Sequence, residues 1–408
     1  MKGSKPRLLL HAGTHKTGTT AVQALAHQCR SRLRQAGFLY PNLHADCPGV
    51  FPGRSGVLGG GGVFAAAQHH FFHALAGDRR FLNERDCQDL VARWHAECVD
   101  SRLDLFLSSE SVSRHLLDDR SYARLERHSL YLERLKALFE PFFEIEIILV
   151  LRRPDDFARS LYQEQIMRGS LRDQAGLEDF IEKQRDRFDY PALLARFENT
   201  FPAVKVLTYE ALCERGDLCA SFFAGLGIDL GAIDQAEAVG SVRASLTPQQ
   251  TVLKLRLNPE LERSAPLPHR PSGTPSNRAN RTLLAWLRSD SVVGLLAALY
   301  PEPRYSFWRD GLQGRRQFLQ SLEPDLSMLM HRLGQRFPDL PNREEPVCIQ
   351  LPDEAQLSSL LSALIHSPAR PVAPAPTLEP QSSVQSGRWS RPRLRSVLSQ
   401  LAQGLRRA

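Results

Sequence analysis

The segment Leu8–Gln23, LLLHAGTHKTGTTAVQ, crowds Gly13, Lys16, Gly18, Thr19 and Thr20 into one short run. Three consecutive leucines, Leu8–Leu10, lead into His11, Ala12 and Gly13 and read as a buried strand. Beyond Thr14-His15-Lys16-Thr17-Gly18-Thr19-Thr20, the apolar spacing of Ala21, Val22 and Leu25 reads as the first turns of a helix. A strand–turn–helix of this kind aims several backbone N–H groups and the positive end of a helix dipole at one spot, which suits a phosphate. Lys16 adds a mobile positive charge, and Thr19 and Thr20 add hydroxyl donors. The run is not a Walker A motif, which needs lysine directly after the second glycine. Here residue 19 is threonine and the lysine stands two positions before Gly18. No acidic strand end suggests a magnesium ligand either, so an ordinary ATP or GTP site is disfavoured. The plainer alternative is a βα turn with a surface lysine.

A second chemical stretch, Arg152-Arg153-Pro154-Asp155-Asp156-Phe157-Ala158-Arg159-Ser160, follows the most apolar strand candidate, Glu144–Leu151 (EIEIILVL). That position is the carboxyl edge of a sheet, where ligands bind in open α/β folds. Arginine offers a planar fork to a phosphate. Ser160 falls about two turns into the following helix, so Arg152 and Ser160 could grip one phosphate from two sides. The alternative is a basic helix start capped by acids, since Asp155 and Asp156 suit a helix N-terminus.

The elements around these stretches alternate. Strands are expected at 7–12, 104–108, 144–151 and 204–209. Helices are expected at 18–36 (closed by Gly37), 63–76, 84–99, 111–117, 121–140, from 155, at 177–186, 190–199 and 218–226. Residues 38–62, with Pro41, Pro48, Pro52 and the run Gly59–Gly62, read as a long functional loop. The alternation predicts a three-layer α/β fold with a central parallel sheet. After about residue 229 no strand is expected. A helix at 247–257, with Thr247 as cap and Pro248 at its first position, a basic loop at 264–281 and helices at 281–298 and 313–337 make a helical C-terminal part. One domain over 1–345 is expected, with a core over about 7–230 and a helical substrate-side part over about 231–345. Residues 346–408 hold a Pro-rich linker and a basic amphipathic tail.

The chain has 408 residues and a formal net charge of +7, which favours an anionic ligand without requiring nucleic acid. No nucleic-acid-binding motif is present. Its 7 cysteines are scattered with no CxxC pair, so a disulfide framework or zinc site is not expected. The basic start, Met1–Arg7, precedes an apolar run too short for a signal peptide. No stretch is long enough to span a membrane. A cytoplasmic protein is the expectation, with membrane-peripheral contact through Arg388–Ala408 as an alternative to a self-docking tail.

Together, the two stretches resemble those of sulfotransferases that use 3′-phosphoadenosine 5′-phosphosulfate (PAPS). HAGTHKTGTT is similar to that family's 5′-phosphosulfate loop. RRPDDFARS is similar to its 3′-phosphate motif, including the arginine-to-serine interval. The likeness is nearest to bacterial and Golgi-type carbohydrate sulfotransferases, with the strand end Leu207-Thr208-Tyr209-Glu210, and it thins out beyond about 230. The Arg-Lys-Gly run of the cytosolic branch is absent. The resemblance implies that Lys16 contacts the oxygen bridging sulfate and phosphate, and that Thr17, Gly18, Thr19 and Thr20 hold the 5′-phosphate. It also implies that Arg152 and Ser160 hold the 3′-phosphate and that Tyr209 lies near the adenine. No metal is required. The implied reaction moves sulfuryl to a hydroxyl or amine of a carbohydrate or glycoconjugate.

Such a transfer needs a base for the acceptor proton. Glu110, just past the strand LFLS, is the first candidate; the alternative is that it caps the next helix or pairs with a nearby arginine. His11 and His15 are other candidates; the plainer readings are packing or hydrogen bonding for His11, and orienting the turn or binding phosphate for His15. His69, His70 and His73 cluster on one helix without an acidic or cysteine partner at metal-site spacing. Arg159, Arg168, Arg243, Arg270, Arg278 and Arg281 could receive an acidic acceptor, or form a solvated basic surface. An ATP-dependent small-molecule kinase with an aberrant loop and a non-catalytic nucleotide- or glycan-binding protein are the competing readings.

Overall fold

The computed structural model describes residues 5–47, 62–78, 82–114, 124–171, 175–230, 246–264, 277–302, 305–340 and 347–359. Most of the 38–62 segment, Arg243, Arg270, the Pro-rich linker and the basic tail lie outside the described residues. Five strands form one parallel sheet: β1 (Arg7–Gly13), β2 (Phe38–Leu39), β3 (Asp104–Ser108), β4 (Glu144–Leu151) and β5 (Ala203–Thr208), in the order β2-β3-β1-β4-β5. From β1 the chain moves to one side of the sheet; from β3 it crosses β1 and continues to the other. The crevice at the carboxyl ends of β1 and β4 is therefore the topological switch point.

Right-handed crossovers that lead in opposite directions place their helices on opposite faces. Helices α1 (Thr19–Gln28) and α2 (Arg30–Gln35) follow β1. A short α3 (Leu43–Asp46), then α4 (Gly62–Leu75) and α5 (Glu84–Ser101), complete the path to β3. Helix α6 (Arg124–Phe139) joins β3 to β4. Helices α7 (Pro154–Arg168), α8 (Leu177–Lys183) and α9 (Tyr190–Thr200) lie between β4 and β5, and α10 (Tyr209–Glu214) and α11 (Leu218–Gly225) follow β5. Both faces of β1, β3 and β4 are buried, as the interior of a parallel sheet requires. Leu9, Phe106, Ile148 and Val150 join the core of α1, α2 and α11. Their alternating neighbours Leu8, Leu105, Leu107, Ile147 and Leu149 are buried on the other side.

Several expected elements are corrected. The long loop from residue 38 begins with a strand, β2: two residues are too few to show a period, yet they pair with Asp104 and Leu105. The helix expected at 18–36 breaks at Cys29, whose φ of −95° and ψ of 25° leave the helical region. The helix expected at 111–117 is a tight 3-10 turn, Glu110–Ser113. Tyr209 opens α10 rather than ending β5. Strands also occur after residue 229: β6 (Tyr305–Ser306) and β7 (Val347–Cys348) form a small parallel pair.

The chain divides into two compact units. The first comprises 1–157, 186–244 and 320–341, and the second 158–185, 245–319 and 342–408. The first unit holds the five-stranded sheet and α16 (Asp325–Arg332); the second holds α12 (Pro248–Ser264), α13 (Asn277–Leu287), α14 (Asp290–Leu299), α15 (Gly311–Gln320) up to residue 319, and the β6–β7 pair. In the second unit a capping box opens α12: Gln250 N–H donates to Thr247 Oγ1 at 3.2 Å and Thr247 N–H to Gln250 Oε1 at 2.8 Å. Leu253 and Leu257 of this helix pack on Leu287, Val292 and Leu296.

Lys254 is wholly buried in α12 and donates to Asn258 Oδ1, one turn on. Asn258 Nδ2 in turn donates to the carbonyls of Ile166 and Leu171 at 3.0 and 2.9 Å. Burial lowers the Lys254 pKa to about 7. The folded pKa lies below the unfolded value, so the unfolded chain binds more protons between about pH 7 and 10.5 and stability rises through that window. The penalty is fullest below pH 7. Replacing Lys254 with Met removes it, so the melting temperature of Lys254→Met relative to the parent shifts in the variant's favour between pH 9 and pH 6. Calorimetric scans at the two pH values measure that difference.

Candidate functional site

At the switch point, β1 ends in a turn that leaves ordinary backbone geometry three times. Gly13 has φ +96°, Lys16 +63° and Gly18 +78°. Lys16 is one of two described non-glycine residues at positive φ, a conformation that costs about 1–2 kcal/mol in an L-residue. The turn is tied down from below. Thr14 N–H and Oγ1 both donate to Val150 O of β4, at 2.8 and 3.0 Å. Thr14 O accepts from Thr17 Oγ1 at 2.7 Å and, less closely, from Thr19 Oγ1 at 3.4 Å. These two hydroxyls are thus turned inward. Gly18 caps α1 in the left-handed region, where a Cβ would run into Leu218 of α11. Among the described residues, no protein acceptor takes the backbone N–H groups of Thr17, Gly18, Thr19 and Thr20. Four donors at a helix start, with the dipole behind them, make an anion cradle.

Arg152 reaches this turn from the end of β4. Its Nη1 donates to Lys16 O at 2.9 Å, and its guanidinium lies 4.6 Å from the centroid of the Tyr209 ring. Tyr190 of α9 fixes the backbone there by donating its hydroxyl to Arg152 O at 2.6 Å. Arg152 Nε is buried and, among the described residues, has no hydrogen-bond acceptor. The neighbouring Arg153 has a different task. It pairs with Asp155 at 2.7 Å and Asp156 at 2.8 Å, and its Nη1 donates to Pro338 O at 3.2 Å. Its backbone N–H donates to Glu210 Oε1 at 2.9 Å. Glu210 Oε2 is buried without a hydrogen bond from the described residues, and burial raises the carboxyl pKa.

Glu110 stands on the other side of the turn. It opens the 3-10 turn after β3, and Ser109 N–H, just before it, donates to His11 O at 2.8 Å. A Cβ on Gly13 would come within 2.8 Å of Glu110 Cα, so the two backbones are in contact. Gln23 of α1 links the pieces: its Nε2 donates to Ser108 O at 2.8 Å and weakly to Glu110 Oε2 at 3.4 Å. His11 is wholly buried between Ser108 Oγ, at 2.9 Å from Nδ1, and the Phe222 ring, at 4.6 Å between centroids. Burial lowers its pKa to about 3, so it is neutral at pH 7 and packed away from solvent. His15 is buried within the turn.

The structure thus brings Lys16, Arg152 and Tyr209 together by direct contact, with Thr17–Thr20 in the same turn and Glu110 beside its first residue. Ser160 lies on α7, in the second unit. His69 and His73 of α4 sit side by side with their Nε2 atoms in contact, and His69 Nδ1 lies 2.9 Å from Ser111 Oγ. Among the described residues, no three His, Cys, Asp or Glu side chains are placed to share a metal ion. None of the described helices is long and apolar enough to cross a membrane. Sequence reasoning missed Gln23, Tyr190 and Leu218. Each acts across a long sequence gap, and nothing in its local pattern marks it.

No protein-family model matches the chain, and no curated protein matches it. Among solved structures it is similar to a sulfotransferase from Alicyclobacillus acidocaldarius, with a TM-score of 0.31 and 16% identity over 62% of this chain and 94% of that one. It is also similar to the sulfotransferase domain from the curacin biosynthetic pathway, with a TM-score of 0.31 and 11% identity over 71% of this chain and 99% of that domain. Likenesses this loose leave the function to be read from the chain's own residues.

Two substitutions separate the turn's architecture from its charge. Gly13→Ala forces a side chain into the positive-φ region against the Glu110 backbone, and should lower stability by about 2 kcal/mol or more. Lys16→Gly relieves a left-handed lysine and should leave the melting temperature unchanged or higher. Thermal unfolding of the two variants beside the parent checks both.

Proposed function

We propose that the chain is a sulfotransferase that moves a sulfuryl group from PAPS to a hydroxyl or amine of a carbohydrate or glycoconjugate, releasing adenosine 3′,5′-bisphosphate. The observation that supports it most directly is the contact of Arg152 with the Lys16 carbonyl across the switch point. It joins a phosphate-type turn carrying a lysine to a second cationic centre backed by an aromatic ring. A donor with two separate phosphate positions suits such a pair better than a triphosphate would, because the lysine is displaced from the Walker position.

The residues present fit this donor. The N–H groups of Thr17, Gly18, Thr19 and Thr20 would take the 5′-phosphate, with the Thr20 hydroxyl as the donor least committed to the turn. The buried Arg152 Nε is an unmet donor that a phosphate oxygen would satisfy. Tyr209, already beside Arg152, would offer its ring to the adenine, and Ser160 would complete the 3′-phosphate site. The donor supplies an activated sulfur whose bond to the phosphate oxygen breaks as the acceptor oxygen or nitrogen bonds to it. Lys16 would hold positive charge against the oxygen that leaves. Glu110 would take the proton from the acceptor. Positioning and charge stabilisation do most of the work in such a transfer, as in phosphoryl transfer. A cytoplasmic protein belongs to the same reading.

Titration calorimetry with adenosine 3′,5′-bisphosphate tests the donor site. The parent should bind, and Lys16→Ala and Arg152→Ala should each weaken binding about tenfold or more, as expected for a lost charge-assisted contact. No binding by the parent would sink the assignment. For the base, Glu110→Gln should keep nucleotide affinity while turnover falls about 10²-fold or more; undiminished turnover would remove Glu110 from that role.

A further inference from the structure

On the α6–α9 side of the Lys16 turn lies a cavity of about 80 Å³ bordered by Thr14 and His15. Among the described residues, three arginines line it, Arg114, Arg187 and Arg196, against one acid, Asp186. On this measure a single water needs about 10–15 Å³, so the space admits a group larger than one water, such as a carboxylate or a sulfate. All of its lining belongs to the first unit.

One arginine is held in place by a relay. His128 of α6 is buried and lies 3.1 Å, through Nε2, from Val112 O. A carbonyl can only accept, so Nε2 carries the hydrogen and Nδ1 keeps its lone pair. Arg196 Nε of α9 donates to that Nδ1 at 3.1 Å. Burial lowers the His128 pKa to about 4, so the ring stays neutral and the relay holds at pH 7. Arg196 is therefore gripped by an uncharged partner at Nε, and among the described residues no acceptor takes its Nη groups. Burial also depresses the Arg196 pKa, with Asp189 and Asp186 opposing that shift. A part-buried guanidinium fixed by a neutral ring, in a cavity with two further arginines, is arranged to receive an anion.

We propose that this cavity is an acceptor subsite for an oxyanion group, a carboxylate or ester sulfate, and that the acceptor is an acidic glycan. The inference rests on the sulfotransferase reading and names its substrate class. The anionic group seated on Arg196 would hold the acceptor beside the turn that carries Lys16. His128 is a positioning residue, acting only through Arg196.

The test has two arms, run at constant ionic strength so that general screening does not differ between samples. In the first, inorganic sulfate is titrated into protein saturated with adenosine 3′,5′-bisphosphate. Sulfate should still bind, and Arg196→Gln should weaken it about tenfold, with His128→Phe doing the same and Arg196→Lys recovering part of the loss. In the second, labelled PAPS is offered with a hexuronate-bearing oligosaccharide and with its carboxyl-reduced counterpart. The acidic form should be preferred by about tenfold or more in kcat/KM. Arg196→Gln should erase that preference through KM while nucleotide affinity stays at the parent value. Loss of sulfate binding once the nucleotide is present would assign the cavity to the donor and overturn the proposal. So would equal use of the two oligosaccharides, or sulfate affinity unmoved by Arg196→Gln. Failure of the nucleotide itself to bind is a different result and overturns the sulfotransferase reading instead.

Discussion

The hydrogen bond from Arg152 to the Lys16 carbonyl governs the geometry of the whole switch-point region. A peptide unit is planar and trans. Fixing the Lys16 oxygen toward Arg152 therefore turns the Thr17 N–H the opposite way. The left-handed Lys16 makes the reversal possible, and Gly18 then hands the chain to the helix. Tyr190 restrains the other end of the bond by holding Arg152 O. One contact between two loops thus orients the Thr17 N–H, the first of the four donors at the start of α1.

Adjacent arginines divide the labour there. Arg153 is nearly buried and consumed by Asp155, Asp156 and backbone carbonyls, and removing its partners would strand a charge in a poorly hydrated place. Arg152 keeps a buried nitrogen without an acceptor. The first is a fastener for the start of α7; the second remains available to a ligand. The carboxylate of Glu210 belongs with the fastener, through the Arg153 backbone N–H.

Much of this was legible in the chain. Leu8–Leu10 and EIEIILVL are apolar on both faces, and only a covered parallel strand uses such runs. Gly13 and Gly18 marked the turn because positive φ needs them. What stayed hidden depended on distance in sequence. Phe38–Leu39 becomes a strand only because Asp104 and Leu105 offer it an edge. His128 and Arg196 each look like ordinary polar positions on amphipathic helices; their pairing exists only once α6 and α9 are packed. The arginines at 152 and 153 differ in partners that only packing supplies: Lys16 O and the Tyr209 ring for the first, Pro338 O beside two local carboxylates for the second. The assignment of Ser160 to a different compact unit from Arg152 likewise reflects packing, since both belong to one uninterrupted stretch of sequence.

The contact between Gly13 and Glu110 carries a consequence of its own. Two backbones touch there because position 13 bears hydrogen where every other residue bears carbon. The gap between the tips of β1 and β3 is thus set by main chain alone, with no rotamer to adjust it. The helices and loops around the crevice can be rebuilt for a new ligand without altering that gap, much as a fixed jaw lets a tool accept interchangeable inserts.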